Sequence, residues 1–333
     1  MQTKERRIKI IMKILVSSPA FNQPTMKKSR EFLEKVVDEV IYNPYSRTLQ
    51  QEEILKLWQD VDGIIAGIEL YTNDLLKWAP KTLKVISRYG AGYENINIEA
   101  AGKQGIVVTN TPGVNAPAVA DLALGLMIAV SRKIPQLDRK VREGKWIRTT
   151  GIGLTGKTLG IIGLGAIGKE VALRAKGFSM KIMAYDPFID KQFIEEHKIE
   201  VTSLNKIIAE SDYITLHLPV NKETERIINE ENINKMKHSV ILINTARGKL
   251  IDEKVLYEAL VKGKIAGAGL DVFEQEPPGQ IPLFKINNVV VTPHIGGHTQ
   301  QALELMAKVS IENALAILKN KDCPFIVNKN YLN

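Results

Sequence analysis

The sequence predicts an α/β protein of two doubly wound, parallel-sheet domains, and three observations carry that reading. At 333 residues the chain is too long for one ordinary core. Short apolar, β-branched runs alternate with stretches of helical spacing and polar outer faces, the pattern of parallel βα units. The alternation is then interrupted by one long apolar segment and resumes as a second series.

In the first series the expected strands are Lys13–Ser17, Val40–Tyr42, Gly63–Ala66, Lys84–Ser87 and Ile106–Thr109. "VNAPAVADLALGLMIAVSR" (Val114–Arg132) follows as a strongly apolar helix, suited to a buried packing position or to an interface between subunits. The second series places strands at Thr158–Ile162, Lys181–Tyr185, Tyr213–Leu218, Val240–Asn244, Ala266–Leu270 and Val289–Val291. Six strands with interleaved helices complete a dinucleotide-binding fold. The last helix, Gln300–Lys319, is surplus to that fold and is expected to return to the first domain. The expected division is therefore 1–112 with 297–333 as one discontinuous domain and 113–296 as the other. No internal repeat, low-complexity tract or flexible linker is visible.

Composition narrows the classes of function. Hydrophobic residues make up 44% and charged residues 25% of the chain, the balance of a globular protein in water. Apolar runs such as Leu126–Val130 fall far short of the roughly 20 residues that span a bilayer, so no membrane association is expected. The single cysteine, Cys323, excludes an internal disulfide and a cysteine-based zinc cluster, and suits a reducing, cytoplasmic setting. Much of the net charge of +8 comes from "MQTKERRIKIIMK", where Lys4, Arg6, Arg7, Lys9 and Lys13 face only Glu5. No basic stripe interleaved with aromatics follows, which favours a solvated surface over a nucleic-acid groove. Lys9 and Lys13 also interrupt any signal-peptide core, and no small-residue cleavage site follows. Met12 is a candidate alternative start, because "MKILVSS" reads as a clean first strand.

"TLGIIGLGAIGKEVA" carries Gly163, Gly165 and Gly168 in G-x-G-x-x-G spacing. Glycine triplets alone are weak signals, but the context agrees. A strand ends at Ile162, a helix (Ala166–Lys176) follows, and a second strand ends in Asp186, 18 residues beyond Gly168. Gly163 permits a tight turn, Gly165 lets the backbone approach a pyrophosphate, and Gly168 lets the helix sit close to the strand. The N–H groups of Ala166 and Ile167 at the helix N-terminus would face the phosphates. Asp186 can accept from the adenosine ribose hydroxyls and would repel a 2′-phosphate, so NAD is expected rather than NADP.

Three charged residues lie near later strand ends: Arg247 in "INTARGKLID", Glu276 in "GLDVFEQEPP" and His294 in "VVVTPHIGGHT". An imidazole suits the proton that a hydroxyl loses as its carbon gives up hydride. A carboxylate beside the ring would orient it, and an arginine can clamp a substrate carboxylate with two parallel bonds. His298 stands four residues beyond His294, but Gly296 and Gly297 between them spoil the helix that a metal-binding pair needs. No metal is expected, and His298 is placed at the start of the final helix.

At these residues the chain resembles the D-isomer-specific 2-hydroxyacid dehydrogenase family, from about residue 13 to 325. The resemblance rests on "SRYGAGYENIN", "TNTPGVNAPAVADLALGL", the glycine fingerprint, "LHLPVNKET", "NTARGKLID", "GLDVFEQEPP" and "TPHIGG". It implies a Rossmann NAD domain inserted into a flavodoxin-like substrate domain, with the active site in the cleft between them. It also implies that Arg247 binds the substrate carboxylate and carbonyl, that His294 is the general acid/base, and that Glu276 pairs with it. Further implied are a carboxylate-holding backbone at Ala91 and Gly92, an active-site hinge residue at Asn115, and NAD contacts from Thr245, Ala246, Asp271, Gly296 and Gly297. Members are usually homodimers joined through the NAD domains.

Within the family, "VISRYGAGYENINIEAAGKQGIVVTNTPG" is most similar to the phosphoglycerate dehydrogenase branch, making D-3-phosphoglycerate the expected substrate. Ending at Asn333, the chain would lack the serine-sensing domain of some members of that branch. One departure weighs against that substrate and keeps a glyoxylate, hydroxypyruvate or other 2-oxoacid reductase as the alternative. Where that branch places a phosphate-binding arginine after the third strand, "IAGIELYT" has Ile68 and Glu69, and the nearby Arg88, Lys145 and Arg148 are not diagnostic. A third reading, an NAD-sensing corepressor that acts as a binding module, has no compositional support.

Overall fold

The computed structural model describes residues 12–332, so the basic residues Lys4 to Lys9 lie outside the described part. The chain forms two compact units. Unit 1 runs to Asn115 and resumes at Thr299; unit 2 is Ala116–His298.

Unit 1 holds five parallel strands, β1 (Lys13–Val16), β2 (Glu39–Tyr42), β3 (Gly63–Ala66), β4 (Val85–Arg88) and β5 (Val107–Thr109), in the order β2-β1-β3-β4-β5. The runs "KILV" and "GIIA" are almost wholly buried, as a parallel sheet covered on both faces requires. On one face lies the helix Gln300–Leu318, whose Ala307, Ile311 and Ala314 meet Ile14, Val16, Ile65 and Val85. Ser87 ties this helix to the sheet by donating to the Ser310 carbonyl (2.7 Å). The helix begins at Gln300, two residues beyond His298, and Thr299 is its N-cap, accepting from the Ala302 N–H (3.2 Å). His298 therefore belongs to the preceding turn, with its N–H on the Ile295 carbonyl, and not to the helix.

After that helix the chain closes the β5 edge. Asn328 is buried; its Oδ1 accepts from the Val108 N–H (2.8 Å) and its Nδ2 donates to the carbonyls of Ile106 (2.9 Å) and Ile98 (3.4 Å). One side chain thus satisfies edge groups that a neighbouring strand would otherwise pair.

Unit 2 holds seven parallel strands: β6 (Thr158–Ile162), β7 (Lys181–Tyr185), β8 (Glu200–Val201), β9 (Tyr213–Leu216), β10 (Ile241–Asn244), β11 (Gly267–Leu270) and β12 (Val289–Val291). Their order is β12-β11-β10-β9-β6-β7-β8. This corrects the six expected from sequence. The addition, β8, is a two-residue edge strand with both side chains exposed, so no apolar run marks it. The strand expected to reach Leu218 stops at Leu216, with Leu218 buried in the loop beyond. The long apolar helix spans Ala116–Ser131 and lies close on the sheet. Glycines in β11 make that approach possible: a Cβ on Gly269 would stand 2.9 Å from Leu126, and one on Gly267 2.7 Å from Val130. Among the described residues no helix is long and apolar enough to cross a membrane.

Asn328→Ala should leave the Val108 N–H and Ile106 carbonyl buried and unpaired, lowering the stability of the protein by ~2–4 kcal/mol. A urea titration followed by circular dichroism measures it; a midpoint equal to wild type would show that the tail does not brace this edge.

Candidate active site

In unit 2 the strand order reverses between β6 and β9, and a doubly wound sheet opens its ligand crevice at the carboxyl ends of such a pair. β6 exits through Gly163, whose φ of 101° is strained for any other residue. A Cβ there would lie 2.7 Å from the carbonyl of His217 at the end of β9, so the two exits press together. Gly165 faces open space, with nothing within 4 Å of where its Cβ would stand, and the helix Ala166–Gly177 starts from it. The first N–H groups of that helix, those of Ala166 and Ile167 among them, have no partner within the helix. At Gly168 a Cβ would run into the Gly163 carbonyl, so the helix can rest on the strand only with glycine.

Asp186, just past β7, is held by two backbone amides: Leu164 N–H on Oδ2 and Phe188 N–H on Oδ1, each at 2.7 Å. Each oxygen keeps a further lone pair for a ribose hydroxyl. At the neighbouring strand ends, Thr245 Oγ1 and His217 Nδ1 are buried without hydrogen-bond partners. His217 Nε2 meets Thr215 Oγ1 at 2.9 Å, and burial pushes the ring's pKa down to about 3, so it stays neutral. Open space over a glycine at a helix N-terminus, a fixed carboxylate and two orphaned polar atoms fit a dinucleotide laid across these strand ends.

The three charged residues sit on the exits of β10, β11 and β12. After β10, the Asn244 side chain locks the turn, accepting from the Ala246 N–H (3.0 Å) and donating to the Arg247 carbonyl (2.8 Å). Arg247 donates to the Ala246 carbonyl (2.7 Å). Gly248 abuts the next loop so tightly that a Cβ would collide with the Phe273 backbone. That loop carries Glu276, whose Oε1 accepts from the Phe273 N–H (3.0 Å) and whose Oε2 lies 2.7 Å from His294 Nδ1. Burial pushes the Glu276 carboxyl up, but bonds from His294 and Phe273 and the charge of Arg247 outweigh it and hold the carboxyl below its ordinary range. Glu276 is therefore ionised at neutral pH. Glu253 braces the same loop by accepting from the Glu274 N–H (2.6 Å).

His294 adopts a left-handed backbone with φ 53°. Asp271, fully buried at the end of β11, holds it there. Its Oδ1 accepts from Thr292 Oγ1 (2.6 Å) and the Ile295 N–H (2.8 Å), its Oδ2 from the Gly296 N–H (2.8 Å), and its carbonyl from the His294 N–H (2.8 Å). Gly296 is buried against this carboxylate, and Gly297 completes the turn. Arg247, Glu276 and His294 are thus brought together on three adjacent loops. Ala91, Gly92 and Asn115 lie in unit 1. There the Ala91 carbonyl accepts from Asn110 Nδ2 (2.7 Å), Gly90 has φ 147°, and Asn115 Oδ1 is buried without a partner. Sequence reasoning missed the bracing by Asn244, Thr292 and Glu253, and the grip of Asp271 on the histidine loop. Their only sequence signal is proximity to the charged residues.

Asp271→Ala should orphan the buried N–H of Gly296 and the half-buried N–H of Ile295 and cost ~1–3 kcal/mol of stability. A thermal melt within the error of wild type would show that the loop holds its shape without the carboxylate.

Comparison with known proteins agrees with this geometry. Residues 124–296 match the family model for the D-isomer specific 2-hydroxyacid dehydrogenase NAD binding domain. The chain is 42% identical over 323 residues to the D-3-phosphoglycerate dehydrogenase of Methanocaldococcus jannaschii, covering 96% of this chain and 60% of that one. It is 45% identical over 289 residues to the glyoxylate reductase of Thermococcus litoralis, covering 84% and 87% of the two chains. Among solved structures, the D-lactate dehydrogenase of Aquifex aeolicus complexed with NAD and lactic acid aligns with a TM-score of 0.81 at 29% identity, over 95% of this chain and 99% of that one. The chain belongs to the D-isomer specific 2-hydroxyacid dehydrogenase family, and its unit 2 carries that family's NAD-binding domain.

Proposed function

We propose that the protein is an NAD-dependent oxidoreductase acting on a CH–OH group, interconverting a small D-2-hydroxy acid and its 2-oxo acid. The 2.7 Å contact between His294 Nδ1 and Glu276 Oε2, one loop from Arg247, carries this reading. Glu276 engages Nδ1 and leaves Nε2 to face the substrate oxygen. In the reductive direction a 2-oxo acid, NADH and a proton give a 2-hydroxy acid and NAD. A bound NADH would supply the hydride for C2, and His294 Nε2 delivers the proton to the former carbonyl oxygen. Ionised Glu276 steadies the imidazolium before transfer and keeps Nδ1 protonated throughout. The Arg247 guanidinium clamps the substrate carboxylate and polarises the carbonyl.

For the cofactor, the N–H groups of Ala166 and Ile167 would hold the pyrophosphate, with Gly163, Gly165 and Gly168 making room for it. Asp186 takes the adenosine ribose hydroxyls and disfavours a 2′-phosphate. Thr245, Ala246, Asp271, Gly296 and Gly297 serve the nicotinamide half. In unit 1, the backbone at Ala91 and Gly92 receives the substrate carboxylate, and Asn115 is assigned as an active-site hinge residue.

Similarity to a phosphoglycerate dehydrogenase over 96% of the chain supports 3-phosphoglycerate as substrate. Similarity at 45–46% identity to a glyoxylate reductase and to the hydroxypyruvate reductase of Thermotoga maritima supports their unphosphorylated substrates. We also propose a homodimer. Ile134, Val141, Trp146 and Ile147 expose apolar side chains along one stretch of unit 2, with Trp146 81% exposed, a surface suited to a second copy. The lone buried Cys323 suits a reducing, cytoplasmic setting.

His294→Ala should lower kcat for 2-oxoacid reduction by ~10²–10⁴-fold and leave the Kd for NADH near wild type. Steady-state rates with a fluorescence titration of NADH separate the two. Weakened NADH binding at unchanged kcat would make the histidine a structural residue.

A further inference from the structure

In unit 2 the chain leaving β9 does not run straight to the next helix. Past Leu218 it makes a turn over residues 221–226, closed by Asn221, whose Oδ1 accepts from the N–H groups of Glu223 (2.8 Å) and Thr224 (2.9 Å). Arg226 ends this turn in the left-handed region, with φ 53°, an uncommon conformation for a residue with a side chain. From there the chain runs beside the loop that carries Arg247. The Arg226 N–H donates to the Lys249 carbonyl (2.8 Å), the Ile228 N–H to the Leu250 carbonyl (3.0 Å) and the Asp252 N–H to the Ile228 carbonyl (3.0 Å). Ile228 and Ile251, both buried, pair as a parallel bridge. The backbone around Arg226 is thus fixed to the Arg247 loop.

The Arg226 side chain reaches a second loop as well. Its guanidinium lies 3.3 Å from Asp252 Oδ2, in the segment that follows Arg247, and 3.8 Å from Glu274 Oε1, two residues before Glu276. Carboxyl groups crowd this place. Glu253 accepts from the Glu274 N–H (2.6 Å), and burial, together with the charges of Glu274 and Glu276, pushes its carboxyl up. Asp252, Glu253, Glu274 and Glu276 therefore come together where the segments after β10 and β11 meet, and their ionised forms repel one another across that seam. Arg226 sets a positive charge between one carboxylate of each segment. Its side chain is 57% exposed, so these ion pairs add little to folding stability. What they do is tie two particular loops together.

Resting on the dehydrogenase reading above, we propose that Arg226 is a positioning residue, clamping the Glu276 loop to the Arg247 loop and so keeping Glu276 against His294. It acts through Glu276 and not on the substrate. Glu276 Oε1 is tethered to the Phe273 N–H at the start of its own loop, so a loop that swings outward carries the carboxylate with it. The guanidinium, held at Asp252 and at Glu274, opposes that swing. All of these residues lie in unit 2, and the clamp is complete within it.

A double-mutant cycle tests this, using single-turnover reduction by saturating NADH in the full chain. The substrate is whichever of hydroxypyruvate, 3-phosphohydroxypyruvate, glyoxylate and pyruvate the wild type reduces fastest. Arg226→Gln should slow the rate by at least ~3-fold and leave the Kd for NADH unchanged. In a Glu276→Gln background the same substitution should cost less than ~2-fold, because the group it positions is already altered. A merely structural role would cost the same factor in both backgrounds. That result overturns the proposal, as does a loss below ~3-fold in the otherwise wild-type chain. Should Arg226→Gln fail to fold, Glu274→Gln removes the other end of the bridge and takes its place in the cycle with the same expectations. Reduction of none of the four acids by wild type would instead bring down the dehydrogenase reading, and this proposal with it.

Discussion

The Asp271 carboxylate is the constraint on which the rest of the candidate active site depends. Left-handed backbone costs a residue with a side chain of order 1–2 kcal/mol, and His294 adopts it. The bonds from Thr292, Ile295 and Gly296 to the carboxylate, with the His294 N–H on the Asp271 carbonyl, offset that cost and leave the loop one shape. That shape sets His294 Nδ1 against Glu276. Because Asp271 directly follows β11 and its N–H donates to the carbonyl of Asn244 at the end of β10 (2.9 Å), its position is inherited from the sheet, and the histidine loop is anchored there rather than free.

The neighbouring exits are constrained in the same way. Asn244 at the end of β10 cross-links the turn that carries Arg247, and glycine at 248 lets that turn press on the backbone of the Glu276 loop. Three charged side chains thus come from three adjacent strands, each loop braced by a buried polar group or a glycine contact. Ionised Glu276 follows from this crowding: its bonds to the His294 ring and the Phe273 amide, with the charge of Arg247, outweigh its burial. Both units apply one topological rule. Each reverses its strand order once, and each gathers its unusual polar groups at that reversal: Gly163 and His217 in unit 2, Ser17 and Glu69 in unit 1.

What could be read from sequence tracks what is local. The strands "KILV", "TLGII" and "YITL" announce themselves by β-branched runs, and the glycine fingerprint by spacing within one βα turn. Arg247, Glu276 and His294 stand out because charge near the ends of apolar strands is conspicuous. By contrast β8 is too short and too exposed to leave a pattern, and His298 falls outside the final helix because Thr299 supplies the better cap. The carboxylate of Glu69 reads in sequence only as a missing cation. Its burial against Ser17 and over Gly67 depends on three strands meeting, which no local window contains. The grip of Asp271 on residues more than twenty positions away is hidden for the same reason.

In the proposed reaction the carboxylate–imidazole pair handles the proton that accompanies hydride transfer. Single-turnover reduction of hydroxypyruvate by saturating NADH, compared between wild type and Glu276→Gln, tests it most directly. Hydride transfer in Glu276→Gln should slow by ~10–10²-fold with the Kd for NADH unchanged, since only the partner of Nδ1 is altered. Equal single-turnover rates in the two proteins would contradict it.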